Sequence, residues 1–324
     1  MTFALAYLLV PLIISFLLTP LVRKIAFHHH VVARQNHRTM HQGEVPKWGG
    51  AAIHIAFLCG VATIWLLRPT MMKQNSVMIL GLLAGATALF VLGALDDKND
   101  LNCSLKFVIE ILMASIAVAV GWRVESLLLP ASYEIYLGIW AYPISIFWIV
   151  GVANSFNMID GLDGLAGGIA TAVLMAALAI SSLFGGGIIP ALSLALAGAI
   201  LGFLRYNISP ASIFMGDSGS LSLGFLLACI AIQASSLPQG PTVLLIPLLL
   251  LALPLTDTFL AIFRRSRKKI HPFHADQEHI HHRLVKLGLS HSGAALTLVG
   301  LTVILGVIGY LVAQVAQMNV ELIQ

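Results

Sequence analysis

The stretch Asn154-Ser-Phe-Asn-Met-Ile-Asp-Gly-Leu-Asp-Gly164 puts two amides and two carboxylates into eleven residues of an otherwise apolar chain. A carboxylate inside a bilayer is costly, so such a cluster marks a functional site by default. Asp160-Gly161 and Asp163-Gly164 fall where one apolar span ends and the next begins. Glycine there lets the backbone turn and present N–H groups to an anion. A plainer reading competes, because aspartate and asparagine are ordinary cap and turn residues.

Four further clusters weigh against the plain reading. Asp96-Asp97-Lys98-Asn99-Asp100 closes an apolar span. On a helix Asp96 and Asp100 share a face at i,i+4, as do Asp97 and Asp100 at i,i+3. Adjacent carboxylates repel unless a cation or proton relieves them, which suits a general base, a metal, or both. A solvated loop is the alternative. Phe214-Met-Gly-Asp-Ser-Gly-Ser220 sets one carboxylate, Asp217, between two glycines. That pattern fits Mg2+ carrying a phosphorylated ligand, since Mg2+ takes only one or two protein carboxylates beside phosphate oxygens. An N-cap opening the next helix is compatible with it.

The segment from Arg264 to Arg283 joins a basic run to His279-Ile-His-His282. The run reads first as an anchor on anionic lipid. On a helix His279 and His282 are neighbours and His281 faces away. Zinc is one option, but the H-E-x-x-H spacing is absent, and hydrogen bonding to phosphate or sugar is preferred. Arg38, His41, Pro46, Lys47 and Gly49-Gly50 form the fifth cluster, with cationic donors at a tight entry to a span. His54, one turn inside that span, reads as a satisfied interhelical histidine.

These groups must be held by apolar spans. Hydrophobic residues make up 58% of the 324 and charged residues 10%, whereas soluble domains carry about 25% charged residues. The fold class is all-α: a polytopic helical membrane protein, with residues 1–324 as a single integral-membrane catalytic domain. Spans of roughly 20 residues are expected at ten places: 3–22, 48–67, 76–95, 104–121, 138–155, 165–184, 187–204, 218–236, 241–263 and 293–315. The boundary at Gly185-Gly-Gly187 is the least defined, and 124–138 is a short hairpin or interfacial loop. The first span has no preceding cation and is expected to stay in the membrane rather than be cleaved. The three cysteines suggest no disulfide framework.

Fifteen of the eighteen Lys and Arg residues fall in the loops after spans one, three, seven and nine or at the adjoining span ends; only Arg68, Lys73 and Arg123 lie opposite. The positive-inside rule then puts the larger set in the cytoplasm and both termini outside. All five polar clusters fall on that cytoplasmic face. Carboxylates, glycine turns, arginines and histidines together suit Mg2+-dependent handling of a diphosphate. Ten spans imply that one substrate is a lipid. A secondary transporter is the distant rival, but transporters place their polar sites near the midplane rather than at span ends.

With those motifs in view, the chain resembles the polyprenyl-phosphate N-acetylhexosamine-1-phosphate transferase family, which includes MraY. H-Q-G-x-x-P-x-x-G-G is His41 to Gly50 and D-D-x-x-D is Asp96 to Asp100. N-x-x-N-x-x-D-G-x-D-G-L runs from Asn154 to Leu165 and F-x-G-D-S-G-S from Phe214 to Ser220. R-R followed by P-F-x-x-D-x-x-H-I-H-H-R-L runs from Arg264 to Leu284. Asp100 and the interrupted histidine run resemble the WecA/TagO branch rather than MraY. Ala33, Gln35 and Thr39 depart from the pattern.

The resemblance implies transfer of a sugar 1-phosphate, most commonly N-acetylglucosamine 1-phosphate, from a UDP-sugar to undecaprenyl phosphate in a bacterial cytoplasmic (inner) membrane. UMP is released, and cell-wall, O-antigen or lipopolysaccharide synthesis begins. It implies Asp217 on Mg2+ (Mn2+ as a substitute) and Asp96 or Asp97 acting on the lipid phosphate. Asn154, Asn157, Asp160 and Asp163 would serve the nucleotide or metal. Arg265, His279, His281 and His282, with Arg38 and His41, would bind diphosphate and sugar. Membrane lipid and a second copy in a homodimer are the expected partners, and nucleic acid is not. A UDP-linked fucosamine or quinovosamine derivative, or the muramyl pentapeptide donor, is the alternative.

Overall fold

The structure is a computed structural model that describes residues 3–33, 44–128, 133–237, 240–268 and 278–321. Its long helices follow the apolar spans in order: α1 (Ala4–His28), α2 (Gly49–Leu67), the short α3 (Pro69–Gln74), α4 (Ser76–Asn99) and α5 (Cys103–Ala119). After strands β1 (Ser126–Leu128) and β2 (Glu134–Tyr136) come α6 (Ala141–Ile159), α7 (Leu165–Leu183), α8 (Ile189–Asn207) and α9 (Gly216–Ala234). Strand β3 (Thr242–Val243), α10 (Leu245–Leu250), α11 (Ala252–Arg267), α12 (Ile280–Lys286) and α13 (His291–Glu321) complete the order.

Eight of these helices, α1, α2, α4, α6, α7, α8, α9 and α13, are long and apolar enough to cross a membrane. They match eight of the ten expected spans. The fourth expected span is the 17-residue α5, opened by Asn102, whose side chain accepts the Ser104 N–H at 2.8 Å. The ninth is not continuous: it breaks at Leu251 into α10 and α11. Pro254 explains the break, because in an unbroken helix its ring would strike the carbonyl of Leu250, four residues back. The uncertain boundary at Gly185-Gly-Gly187 does separate α7 from α8, with all three glycines at positive φ.

The bundle is organised around α9, 89% buried along its apolar stretch, against 28% for α1 and α13 at the periphery. Leu5, Leu17, Leu296 and Ile304 point outward from those outer helices, as lipid-facing residues should. Where α8 meets α1, Gly198 and Gly202 lie against the carbonyls of Leu8 and Leu12. The two helices therefore run parallel, through a small-xxx-small contact of the kind that brings membrane helices together. Leucine at Gly202 is expected to force them apart at a cost of about 2–3 kcal/mol. A lowered unfolding temperature in detergent, read by circular dichroism, would check this; an unchanged one would refute the contact.

The all-α expectation needs one amendment. Residues 126–128 and 134–136 pair antiparallel, with Ser126 opposite Tyr136, and β3 adds to β1 in parallel, with Leu127 opposite Thr242. This three-stranded patch sits beyond the ends of α5 and α9, at the opposite end from the polar clusters.

Candidate active site

At the other end of the bundle, the ends of several helices meet. The loop before α9 is fastened first. Phe214 donates its N–H to Pro46 O at 2.8 Å, while Gly49 and Gly50 donate theirs to Phe214 O and Met215 O, both at 2.9 Å. Gly50 also packs on the backbone of Gly219, where any side chain would collide. The paired glycines of the fifth cluster thus act structurally, docking α2 on α9. Arg38 and His41, from the same cluster, lie outside the described residues.

Gly216 takes φ +74°, a left-handed conformation natural to glycine, and α9 begins there. The N-terminus of α9 is capped from another helix. Asp97 of α4 accepts the N–H of Asp217 on Oδ1 and that of Ser218 on Oδ2, both at 3.1 Å. Its side chain is fully buried, and Lys47 Nζ stands 3.6 Å from Oδ1. The N-cap expected near Asp217 is therefore provided by Asp97.

Asp96 points elsewhere. Its Oδ1 accepts the Leu101 N–H at 2.7 Å, and its Oδ2 meets Lys106 Nζ at 2.5 Å. Lys106 also reaches Asp217 Oδ2 at 3.4 Å, so one ammonium bridges the two carboxylates. In the sequence Lys106 counted only as one more positive-inside charge. Asp100 does not share a helical face with Asp96 or Asp97: α4 ends at Asn99 and Asp100 turns to φ +49°.

The loop between α6 and α7 enters from the side. Asn157 accepts the Ser220 hydroxyl at 2.6 Å, joining α6 to α9. Asn154 donates to Glu110 of α5, a buried carboxylate that the motifs did not flag. Asp163 Oδ2 accepts the Ala211 N–H at 2.9 Å. The glycine N–H groups expected to face an anion are already used. Gly161 donates to Ile159 O at 2.8 Å, and Gly164 to Asn207 Oδ1 at 3.1 Å. Asp160 stands among Asp217, Asp97 and Asp163; burial first, then these three carboxylates in that order, push it up to about 7. Such a rise reports burial above all, with the three neighbouring carboxylates adding to it.

The histidines close the site: His279 and His282 are neighbours as expected, with ring centroids 6.0 Å apart, but the rest departs from the helical expectation. His279 precedes α12 rather than belonging to it, and His281 does not face away. The rings of His279 and His281 stack with centroids 5.6 Å apart and planes at 2°, and His282 lies 4.2 Å from His281. Burial, then His282 and His279, hold His281 down at about 4, so it is neutral at pH 7. Both its ring nitrogens are buried without a hydrogen-bond partner among the described residues, and Nε2 packs on Gly161. Arg265 lies in the last turn of α11. Alanine at Gly161 would run into the His281 ring. Turnover is expected to fall at least about 10-fold through misplacement of the reacting groups, with the melting temperature unchanged; wild-type turnover would separate His281 from the site.

Among the described residues, no three His, Cys, Asp or Glu side chains are placed to cage a metal ion, and His279 Nδ1 is already engaged by Asp257 at 2.8 Å. The donor set nonetheless fits Mg2+ arriving with a phosphorylated ligand. Asp217 keeps 30% of its side chain exposed, beside carboxylates that outnumber the ammonium groups of Lys47 and Lys106.

The chain is also similar to known proteins. Residues 79–235 match glycosyl transferase family 4. The chain is 37% identical over 292 residues to a probable undecaprenyl-phosphate N-acetylglucosaminyl 1-phosphate transferase of Bacillus subtilis (strain 168), covering 90% of this chain and 79% of that protein. It is 34% identical over 315 residues to a decaprenyl-phosphate N-acetylglucosaminephosphotransferase of Mycolicibacterium smegmatis, covering 88% and 76%. It is 30% identical over 313 residues to the undecaprenyl-phosphate alpha-N-acetylglucosaminyl 1-phosphate transferase of Escherichia coli K12, covering 93% and 82%.

Proposed function

Because this chain belongs to glycosyl transferase family 4 and is a phosphoglycosyltransferase, we propose that it moves N-acetylglucosamine 1-phosphate from UDP-N-acetylglucosamine to undecaprenyl phosphate and releases UMP. The observation that carries the proposal is the convergence of Asp96 and Asp97 of α4, Lys106 of α5, Asp217 of α9, and Asp160, from four separate parts of the chain.

An oxygen of the lipid phosphate attacks the sugar-bearing phosphorus. A new P–O bond forms, the bond from that phosphorus to the bridging oxygen breaks, and its electron pair leaves with UMP. Asp217 would hold Mg2+, which when bound neutralises the diphosphate. Lys106 adds a second positive charge at the same point. Orienting the lipid phosphate and accepting its proton fall to Asp96 or Asp97, and either must first give up a bond: Asp97 those to the start of α9, Asp96 those to Leu101 and Lys106. Asn154, Asn157, Asp160 and Asp163 shape the nucleotide side. His279, His281 and His282, with Arg265, approach the diphosphate and sugar.

In this proposal residues 1–324 act as one catalytic unit in a bacterial cytoplasmic membrane, with the site toward the cytoplasm and both termini outside. The charge distribution supports that orientation: Lys47, Lys98, Lys106 and Arg205 lie at the site end, and Arg68, Lys73 and Arg123 at the other. The test is formation of a lipid-linked sugar diphosphate from radiolabelled UDP-N-acetylglucosamine and undecaprenyl phosphate by the purified protein with Mg2+. No labelled lipid from this donor, but product from another UDP-N-acetylhexosamine, would reassign the sugar; no product from any donor would overturn the reaction.

A further inference from the structure

Asp257 lies in α11, inside the broken ninth span and outside the five polar clusters. Its residue is 1% exposed, and both carboxylate oxygens are committed. Oδ2 stands 2.8 Å from His279 Nδ1, and Oδ1 accepts the Ile280 N–H at 2.8 Å. A carboxylate only accepts, so the ring nitrogen facing it must carry the proton. That leaves Nε2 as the free end of His279. The same carboxylate fixes the backbone where α12 starts, and so the platform on which His281 stacks.

We propose that Asp257 is a positioning residue for the reaction: it sets the tautomer of His279 and, through Ile280, holds the stacked histidines against the Asp160–Gly164 loop. Two observations converge on this. One is the double grip of Asp257 on consecutive residues of the histidine segment. The other is the contact of His281 Nε2 with Gly161, which a shift of that segment would break. Glu278 belongs to a separate arrangement, reached by Arg264 at 3.7 Å and Lys268 at 2.9 Å.

The inference rests on the transferase proposal for its kinetic arm only. Asp257→Asn keeps the shape but offers an amide N–H to His279 Nδ1, forcing the proton to Nε2. Turnover is expected to fall about 100-fold, as loss of an orienting carboxylate does elsewhere, with the unfolding temperature in detergent little changed. His279→Ala should cost at least as much, and the double variant no more than His279→Ala alone. Independent effects that multiply, or turnover of Asp257→Asn within about 3-fold of wild type, would overturn the proposal. The second readout needs no activity: 15N shifts of labelled histidine in wild type should show His279 protonated at Nδ1. The Nε2–H tautomer in wild type would overturn it as well, even if Asp257→Asn failed to fold. A wild-type protein that made no lipid-linked product from any donor would instead count against the transferase reading, leaving the tautomer to decide on Asp257.

Discussion

Asp217→Asn is expected to lower Mg2+-dependent UMP release by about 10²–10³-fold while the protein folds and inserts normally. The magnitude is that of losing one preorganised electrostatic contact to the transition state, about 3–4 kcal/mol. Folding should survive because the bonds that fix the start of α9 run from the backbone N–H groups of Asp217 and Ser218 to Asp97 and do not use the Asp217 side chain. Removing one of several crowded carboxylates also relieves repulsion, so the variant should be no less stable than wild type. Chelating the divalent cation should reproduce the loss in wild type and add little to the variant. Near wild-type turnover at saturating Mg2+ would take Asp217 out of the metal role.

Lys106→Met should damage both stability and activity, and the two effects should separate. Lys106 is the ammonium shared by Asp96, at 2.5 Å, and Asp217, at 3.4 Å, and only 9% of the Asp96 side chain is exposed. Methionine keeps the apolar stem and removes the charge, leaving buried carboxylates uncompensated, which costs about 3 kcal/mol. Adding Asp96→Asn should recover most of that stability, because it removes the orphaned charge, but should leave turnover at least about 100-fold down. Thermal unfolding in detergent beside the labelled-lipid assay reads the two quantities apart. If Lys106→Met melted like wild type and kept its turnover, the bridging ammonium would have no role in either.

What the sequence revealed reliably was whatever is expensive in a bilayer. Apolar runs of membrane length stand out because each must satisfy its own backbone hydrogen bonds, so eight helices follow directly from hydropathy. Carboxylates and amides at the ends of those runs stand out for the same reason, and Asp96, Asp97, Asp160, Asp163 and Asp217 were identified that way. The break at Leu251 was also within reach, since Pro254 stands in the span for anyone who asks what its ring would strike.

Partner choice was not legible. Adjacent in sequence, Asp96 and Asp97 point to different tasks, one toward Lys106 and the other under α9, because successive helical side chains diverge by about 100°. Lys106, Glu110 and Asp257 are single polar residues within mostly apolar segments. Nothing local distinguishes an anchor or an interhelical bond from a member of the site. His281 turns toward its neighbours because α12 starts only at Ile280, whose N–H is held by the carboxylate of Asp257, a contact that residue spacing does not show. The sequence by itself therefore determined the spans and the inventory of reactive groups, through the local cost of exposing polar atoms to lipid. Only the tertiary structure decided which of those groups meet, because each pairing depends on helices brought side by side from distant parts of the chain.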